Sequence, residues 1–292
     1  MRGLAALLLA ATTAVPSVEF TIPATHRLVE GIASDGRTIW VSSVLDRTII
    51  ARRDGRVREW TLPGDVGQPL GVAWDAKRGL LWIATDCLDV AGLTPCDRGA
   101  LIAIDRAGNV RQRLAVPAPF HVGDVSARDG QVFVADSRNG AVYRVSGGAL
   151  TPVVAPGVGK SAQGSALSAD GRSLIVADYS QGITRIDLAS DKRELVLLDG
   201  KPVRGVDGLA RAGDWYVGIQ NGGSVGRLLA FRIVDGALDL KVLAEGGTLA
   251  DPTQLLVTRD AILVVADSGW ATIDKPGPRP TPATIARFAL PD

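Results

Sequence analysis

The sequence predicts an all-β fold, a single six-bladed β-propeller with four-stranded blades, from three observations. One pattern of two hydrophobic strands joined by a tight turn returns six times along the 292 residues. The copies recur about every 40–45 residues, a repeat length typical of propeller blades. The repeats show strand signals without helical periodicity. The aligned first residues are Glu30, Leu70, Gly123, Gln163, Asp207 and Thr253, separated by 40, 53, 40, 44 and 46 positions. A propeller gathers the starts of its inner strands around one channel, so these distant positions are expected to share a site.

The turns within the repeats support four strands per blade. Asp-Gly pairs separate β-rich runs where a hairpin needs a residue that accepts positive φ, and they stand at 35–36, 54–55, 129–130, 170–171 and 235–236. In the fourth blade, GITRIDLAS and KRELVLLD are assigned as the outer strands. The sixth repeat has only three strands of its own, and the segment Val18–Ala24 is expected to supply the fourth. This pairing would close the ring and remove an exposed sheet edge.

Composition and charge fit one soluble domain over residues 18–292. The apolar fraction is 46% and the charged fraction 22%, which is ordinary for a globular protein. Lys and Arg total 32 against 31 for Asp and Glu. Because no basic stripe accompanies this balance, nucleic acid is not expected as a partner.

Residues 1–17 are expected to be a secretory signal peptide. Arg2 precedes an apolar run from Leu4 to about Ala11, and small residues follow, which is the layout of such peptides. Cleavage after Ala14 and cleavage after Ser17 both fit. The run is too short to span a bilayer, and no other stretch could span one. The mature protein is therefore expected in the periplasm or outside the cell.

Cys87 and Cys96 bracket a loop that lengthens the second blade. In an exported chain, a close and even pair of cysteines favours a structural disulfide. Metal binding is the weaker alternative, because two thiolates make an incomplete zinc site and no histidine lies nearby in the sequence.

Three motifs resemble a known family. VEGIA around Glu30, GVDGLA around Asp207 and ADGRSLIVADY at 169–179 are similar to the senescence marker protein, gluconolactonase and luciferin-regenerating enzyme (regucalcin-like) family. That resemblance implies a six-bladed propeller with a divalent cation at the top of its channel. The cation would be Ca²⁺, with Zn²⁺ or Mn²⁺ as alternatives.

The resemblance also implies site residues. Glu30 and Asp207 match the family's acidic ligands, whereas the two Asn ligands of the middle blades are replaced by Gly123 and Gln163. The implied metal ligands are Glu30, Gln163 and Asp207, and Asp207 is also the catalytic general base. Since Gly123 offers no side chain and Ca²⁺ prefers six to eight oxygens, the set is depleted.

His121, Asp124 and Asn221 are further candidates for substrate contact or for support of the ligands. His121 precedes the third inner strand, Asp124 lies beside the vacant ligand position, and Asn221 ends a second strand. Each candidate has a structural alternative. His121 could be a hydrogen-bonded loop histidine, Gln163 could bind a neighbouring blade's backbone, and Asp207-Gly208 could be a plain turn.

Two functions follow from these patterns. The first is an exported, metal-dependent hydrolase of a small cyclic ester such as a sugar lactone, in which the cation polarises the carbonyl and activates water. The second is a non-catalytic periplasmic propeller that binds a ligand or a partner protein. A nucleophile elbow, a P-loop and a zinc cluster are all missing from the sequence, which disfavours other chemistries.

Overall fold

The computed structural model describes residues 16–88, 99–116, 120–275, 277, 279 and 281–292. Its strands form six sheets arranged as the six blades of a propeller, which confirms the predicted fold. The first strand among the described residues, β1 (Ser17–Ile22), belongs to the last blade.

The remaining strands follow in blade order. Blade 1 contains β2 (Val29–Ser34), β3 (Thr38–Ser43), β4 (Thr48–Arg53) and β5 (Arg56–Thr61). Blade 2 contains β6 (Gln68–Asp75), β7 (Leu80–Asp86), β8 (Ala100–Ile104) and β9 (Val110–Ala115). Blade 3 contains β10 (Val122–Arg128), β11 (Gln131–Asp136), β12 (Val142–Ser146) and β13 (Ala149–Val154). Blade 4 contains β14 (Ala162–Leu167), β15 (Ser173–Asp178), β16 (Gly182–Asp187) and β17 (Arg193–Leu195).

Blade 5 carries two short additional strands on its outer edge. These are β18 (Leu197–Leu198) and β19 (Lys201–Pro202). Its four main strands are β20 (Val206–Ala212), β21 (Trp215–Gln220), β22 (Arg227–Val234) and β23 (Ala237–Glu245). Blade 6 contains β24 (Leu255–Val257), β25 (Ile262–Asp267), a 3₁₀ turn (Trp270–Thr272), β26 (Ala283–Phe288) and β1.

The ring closes as predicted through the N-terminal strand. β1 pairs antiparallel with β26, from Ser17 opposite Arg287 to Ile22 opposite Ala283. Between neighbouring blades lie six separate apolar cores. The core between blades 6 and 1 includes Ile22 and Val41, so closure of the ring also buries apolar surface.

The structure corrects the assignment of KRELVLLD to blade 4 alone. β17 ends at Leu195, and Leu197 pairs in parallel with Ala237 of blade 5. Between them, Val196 is fully buried and its N–H donates to the carbonyl oxygen of Ile183. The chain passes from one blade edge to the next at Val196 because this side chain packs into the core between the two blades.

Two sequence predictions fall wholly or partly outside the described residues. These are the signal peptide, of which only residues 16 and 17 are described, and the pairing of Cys87 with Cys96, of which only Cys87 is described. Within the described ranges, no helix combines the length and the apolar character needed to cross a bilayer.

A β-bulge lies near the start of most of the innermost strands. The register shifts between Val29 and Ile32 in blade 1, and equivalent shifts occur in blades 2 to 5. Bulges bend a strand and redirect the side chain at that point. In blade 1 the bulge contains Glu30 and Gly31. A Cβ on Gly31 would lie 2.5 Å from the carbonyl oxygen of Leu70, so glycine there lets the inner strands of blades 1 and 2 approach closely.

Candidate functional site

The starts of the inner strands surround a cavity of about 330 Å³ at one end of the channel, which we call the channel mouth. This volume lies within the range of small-molecule pockets. Its lining residues are Glu30, Leu70, His121, Gly123, Gln163, Tyr179, Asp207, Asn221, Asp251, Thr253 and Trp270. The mouth thus brings together every predicted site residue except Asp124. No Lys or Arg is among the described residues that line it.

Glu30 is held at the mouth by a tryptophan from another blade. The Nε1–H of Trp270 donates a hydrogen bond to Glu30 Oε2 at 2.6 Å, and Glu30 is buried. Burial raises the pKa of Glu30 well above its ordinary range, the nearby Asp207 carboxylate raises it further, and the Trp270 bond opposes both effects. A cation bound at the mouth would lower this pKa again, because positive charge favours the ionised carboxylate.

Asp207 is fixed by the predicted candidate Asn221. Asn221 Nδ2 donates to Asp207 Oδ2 and to the carbonyl oxygen of Pro252, both at 2.9 Å. Burial raises the pKa of Asp207, and the bond from Asn221 opposes this shift. With both amide hydrogens engaged, the buried Asn221 Oδ1 has no hydrogen-bond partner among the described residues. The mouth therefore contains a buried acceptor oxygen that is free to bind a cation or a hydrogen-bond donor.

Gln163 reaches into the space above the vacant ligand position. A Cβ on Gly123 would lie 2.9 Å from Gln163 Oε1. The glutamine amide oxygen therefore stands close to the place where a side chain from position 123 would begin. The longer side chain in blade 4 thus partly replaces the missing one in blade 3.

Asp124 lies further along the channel than predicted. It lines a separate cavity of about 240 Å³ with residues such as Ser126 and Gln254, and it is buried. Chiefly because of burial, with a smaller contribution from Asp207, its pKa rises to about 7. In the other bulges named above a glycine follows the mouth residue, whereas in blade 3 the order is reversed to Gly123-Asp124. This reversal turns the carboxylate away from the mouth.

His121 is bound through both its backbone and its ring. Its Nδ1 contacts the carboxylate of Asp86, whose side chain is buried, while the His121 side chain is 33% exposed. Its backbone N–H donates to Asp136 Oδ1 at 3.3 Å. Asp136 and Asp178, at the equivalent strand ends of blades 3 and 4, accept hydrogen bonds from backbone N–H groups of nearby loops. In blade 2 the equivalent Asp86 holds an imidazole at the mouth instead.

Asp86, Asp251, Trp270 and Tyr179 were not identified as site residues from the sequence. Asp251 Oδ2 accepts hydrogen bonds from Ser268 Oγ and from the N–H groups of Gly269 and Ala271. Asp251 and Trp270 lie in loops, outside the repeating strand pattern. A usable signal existed only for Asp86, which ends a second strand as Asp136 and Asp178 do.

The donor set fits a hard cation only when amide oxygens are included. Among the described residues, no group of three or more His, Cys, Asp or Glu is arranged to hold a metal. The mouth does offer the carboxylates of Glu30 and Asp207 together with the amide oxygens of Gln163 and Asn221. Oxygen donors of these types suit Ca²⁺ or Mg²⁺ rather than a soft metal.

Comparisons with known proteins establish the fold of this chain but not its family. No family model matches the chain, and no curated protein matches it. Luciferin-regenerating enzyme superposes with a TM-score of 0.67 at 11% identity, over 94% of this chain and 95% of that one. The calcium-binding protein regucalcin from Agrobacterium tumefaciens gives 0.64 at 16% identity, over 93% and 94%.

A third solved structure carries a different cofactor. The PQQ-bound aldose sugar dehydrogenase from Streptomyces coelicolor gives a TM-score of 0.64 at 14% identity, over 94% of this chain and 98% of that one. Identities this low show a shared propeller architecture, on which unrelated activities occur.

Proposed function

We propose that the protein is a divalent-cation-dependent hydrolase of small cyclic esters, such as sugar lactones, that acts at the channel mouth. The observation that carries the proposal is the mouth itself, where buried Glu30 and half-buried Asp207 have raised pKa values and Asn221 Oδ1 has no hydrogen-bond partner among the described residues. The likeness to regucalcin and luciferin-regenerating enzyme propellers supports it. Its proposed setting is the periplasm or the outside of the cell, on the strength of the first 17 residues.

Glu30, Gln163 and Asp207 would hold the cation, with the oxygen of Asn221 beside them. A bound cation would polarise a lactone carbonyl and lower the pKa of a bound water. The other roles belong to the chain. Asp207 accepts the proton of the attacking water through the carboxylate oxygen that Asn221 does not bind. Trp270 fixes the orientation of Glu30.

His121 contributes a second polar group on the wall of the mouth. Because Asp86 binds Nδ1, Nε2 is the ring nitrogen that remains for a hydrogen bond to substrate. A histidine held this way keeps a fixed ring orientation and tautomer. We assign it, through the unprotonated Nε2, to accepting a hydrogen bond from a hydroxyl group of the lactone. The proton that Asp207 takes from the attacking water passes on to the departing alkoxide.

The test combines metal content with hydrolysis of a panel of five- and six-membered lactones. We expect Glu30→Gln and Asp207→Asn to lose the stoichiometric cation and at least about 100-fold of kcat/KM, the usual scale for a general base. His121→Gln should retain the cation but raise KM by about tenfold, the scale of one lost hydrogen bond to the substrate. Asp235→Asn is the matched control, since Asp235 is exposed in a turn at φ 50° that asparagine also tolerates.

Three results would contradict the proposal. These are a wild-type protein that binds no divalent cation, a metal-loaded protein that opens no lactone, and unchanged hydrolysis in Asp207→Asn. A metal-loaded but inactive protein would favour the alternative, a propeller that binds a ligand or a partner protein without catalysis.

A further inference from the structure

A second cavity lies on the face of blade 1 that is turned toward blade 2, and it shares no lining residue with the mouth. Its volume is about 540 Å³, within the range of small-molecule pockets. Its lining residues are Thr38, Trp40, Ala51, Arg53, Asp54, Arg56, Arg58, Trp60 and Arg106. Four guanidinium groups thus face a single carboxylate in this interblade cavity.

The strand register explains why the arginines share one side of blade 1. Thr38, Arg53 and Arg56 are opposite one another across β3, β4 and β5, and Trp40, Ala51 and Arg58 form the next row. Residues opposite one another in a sheet project from the same face. Since Trp40 and Ala51 belong to the core between blades 1 and 2, this face is the one turned toward blade 2.

The charges on this face are not balanced within the protein. Arg53 stands directly opposite Arg56 in the hairpin, an arrangement that destabilises a sheet. Arg56 and Arg58 have no ion pair or side-chain hydrogen bond with any described residue, and Arg53 has only the neighbouring Asp54 at 3.6 Å. The corresponding pairs beside the hairpins of blades 3 and 5 are uncharged, Ser146 with Ala149 and Val234 with Ala237.

Two further features indicate a built site rather than a charged surface. Arg106 is fixed on the blade 2 side by a 2.7 Å bond to Asp35 and by its position 4.6 Å over the ring of Trp74. Trp40 is 1% exposed, and its Nε1–H has no acceptor within the described part of the chain. An unpartnered donor of this kind calls for an explanation, and an anionic ligand in the cavity would supply an acceptor.

We propose that the interblade cavity binds a small organic polyanion, one that carries at least two carboxylate or phosphate groups. Arginine is the side chain best suited to such groups, because its planar fork makes two parallel hydrogen bonds to one carboxylate or phosphate. Arg56 and Arg58 bind one anionic group, and Arg53 with Arg106 bind the other. Trp60 covers the apolar part of the ligand. This site is independent of the function proposed for the mouth.

The test is calorimetric titration of the metal-free protein with citrate and, separately, with pyrophosphate at low ionic strength. We expect one molecule to bind per chain. Arg58→Gln should weaken binding by about tenfold or more, as expected for loss of a charge-assisted pair. Arg259→Gln is the charge-matched control, since Arg259 is exposed in blade 6 and its side chain contacts no described partner. Binding of citrate alone assigns carboxylates, and binding of pyrophosphate alone assigns phosphates.

Arg56→Glu gives a second and opposite readout. It replaces a like-charge cross-strand pair by an attractive one, so the Tm should rise by about 1–3 °C without ligand, while anion binding is abolished. The proposal is overturned if neither anion binds the wild type, or if Arg259→Gln weakens binding as much as Arg58→Gln. A loss of binding accompanied by a lower Tm in both cavity variants would also count against it.

Discussion

Gly123 and Gln163 illustrate how two neighbouring positions share one space. Gln163 Oε1 lies 2.9 Å from the point where a Cβ of residue 123 would stand, so an added side chain would displace the end of the glutamine. The position of the Gln163 amide therefore depends on glycine at position 123. The two departures from the family resemblance are coupled, and they should be reversed together.

Restoring both asparagines should strengthen cation binding. In Gly123→Asn alone, the new side chain displaces the Gln163 amide, so one oxygen is gained as another is lost and we expect no net gain in Ca²⁺ affinity. In Gly123→Asn with Gln163→Asn, the shorter amide frees the space and a further oxygen joins the ligands, so affinity should rise by about tenfold or more. Calorimetric titration with Ca²⁺ measures this, with Gln163→Asn as the control. An equal gain in the single Gly123→Asn variant would contradict the coupling.

Asp124 should make the metal-free protein less stable at alkaline pH. Its pKa is about 7 in the folded state and about 4 in an unfolded chain. A raised carboxyl pKa contributes stability that is fully present below pH 4 and is lost as the pH rises through 7. We therefore expect the Tm of the metal-free wild type to fall between pH 5 and pH 8, and Asp124→Asn to reduce that fall. The same fall in Asp124→Asn and wild type would contradict this cause.

Individual positions also show how much of the candidate site could be predicted from the sequence. The repeat predicted that Glu30, Gln163 and Asp207 lie together, because each starts an inner strand; their assignment as metal ligands came from the family resemblance and stays a prediction. Asp251 and Trp270 come from loops whose paths depend on local hydrogen bonds, which no repeat records. Asp124 was predicted beside the mouth, whereas it lines the separate cavity further along the channel. In blade 3 the glycine comes first, as Gly123-Asp124, so the bulge directs the Asp124 side chain away from the mouth.

Among the strands, β1 differs from the others because it lies outside the six sequence repeats and still completes blade 6. Its Ile22 is 2% exposed in the core shared with blade 1. The loop after it is held to blade 1 by His26, whose Nδ1 lies 3.0 Å from Ser43 Oγ and 3.1 Å from Asp46 Oδ2. The hydrogen bond to Asp46 raises the pKa of His26 against the opposing effect of burial.

Truncation of Ile22 should weaken closure of the ring. Ile22→Ala removes a fully packed side chain from a core that blades 6 and 1 share, and we expect a loss of about 2–5 kcal/mol in the free energy of unfolding. Val18→Ala is the control on the same strand, since Val18 is 59% exposed and its truncation should change stability by less than about 0.5 kcal/mol. Urea titration followed by circular dichroism compares the two. Equal effects would mean that β1 is not anchored through Ile22.

At the scale of the whole molecule, different parts of the blades form the two cavities. The inner strand starts build the channel mouth, and β3, β4 and β5 of blade 1, with Arg106 of blade 2, build the interblade cavity. The blade number and ring closure were predictable because they depend on repeat length and on the missing fourth strand. The exchange of β18 between blades was not, because it depends on the burial of Val196, which only the assembled ring determines.

The pairing of β1 with β26 also sets how the molecule responds to tension. Ser17 is opposite Arg287, and Ile22 is opposite Ala283, so the chain leaves both strands at the same end of their ladder. A pull on the two termini therefore opens the hydrogen bonds one pair at a time, as in unzipping, rather than loading them all at once. We therefore expect β1 to separate from β26 first when the two termini are pulled apart.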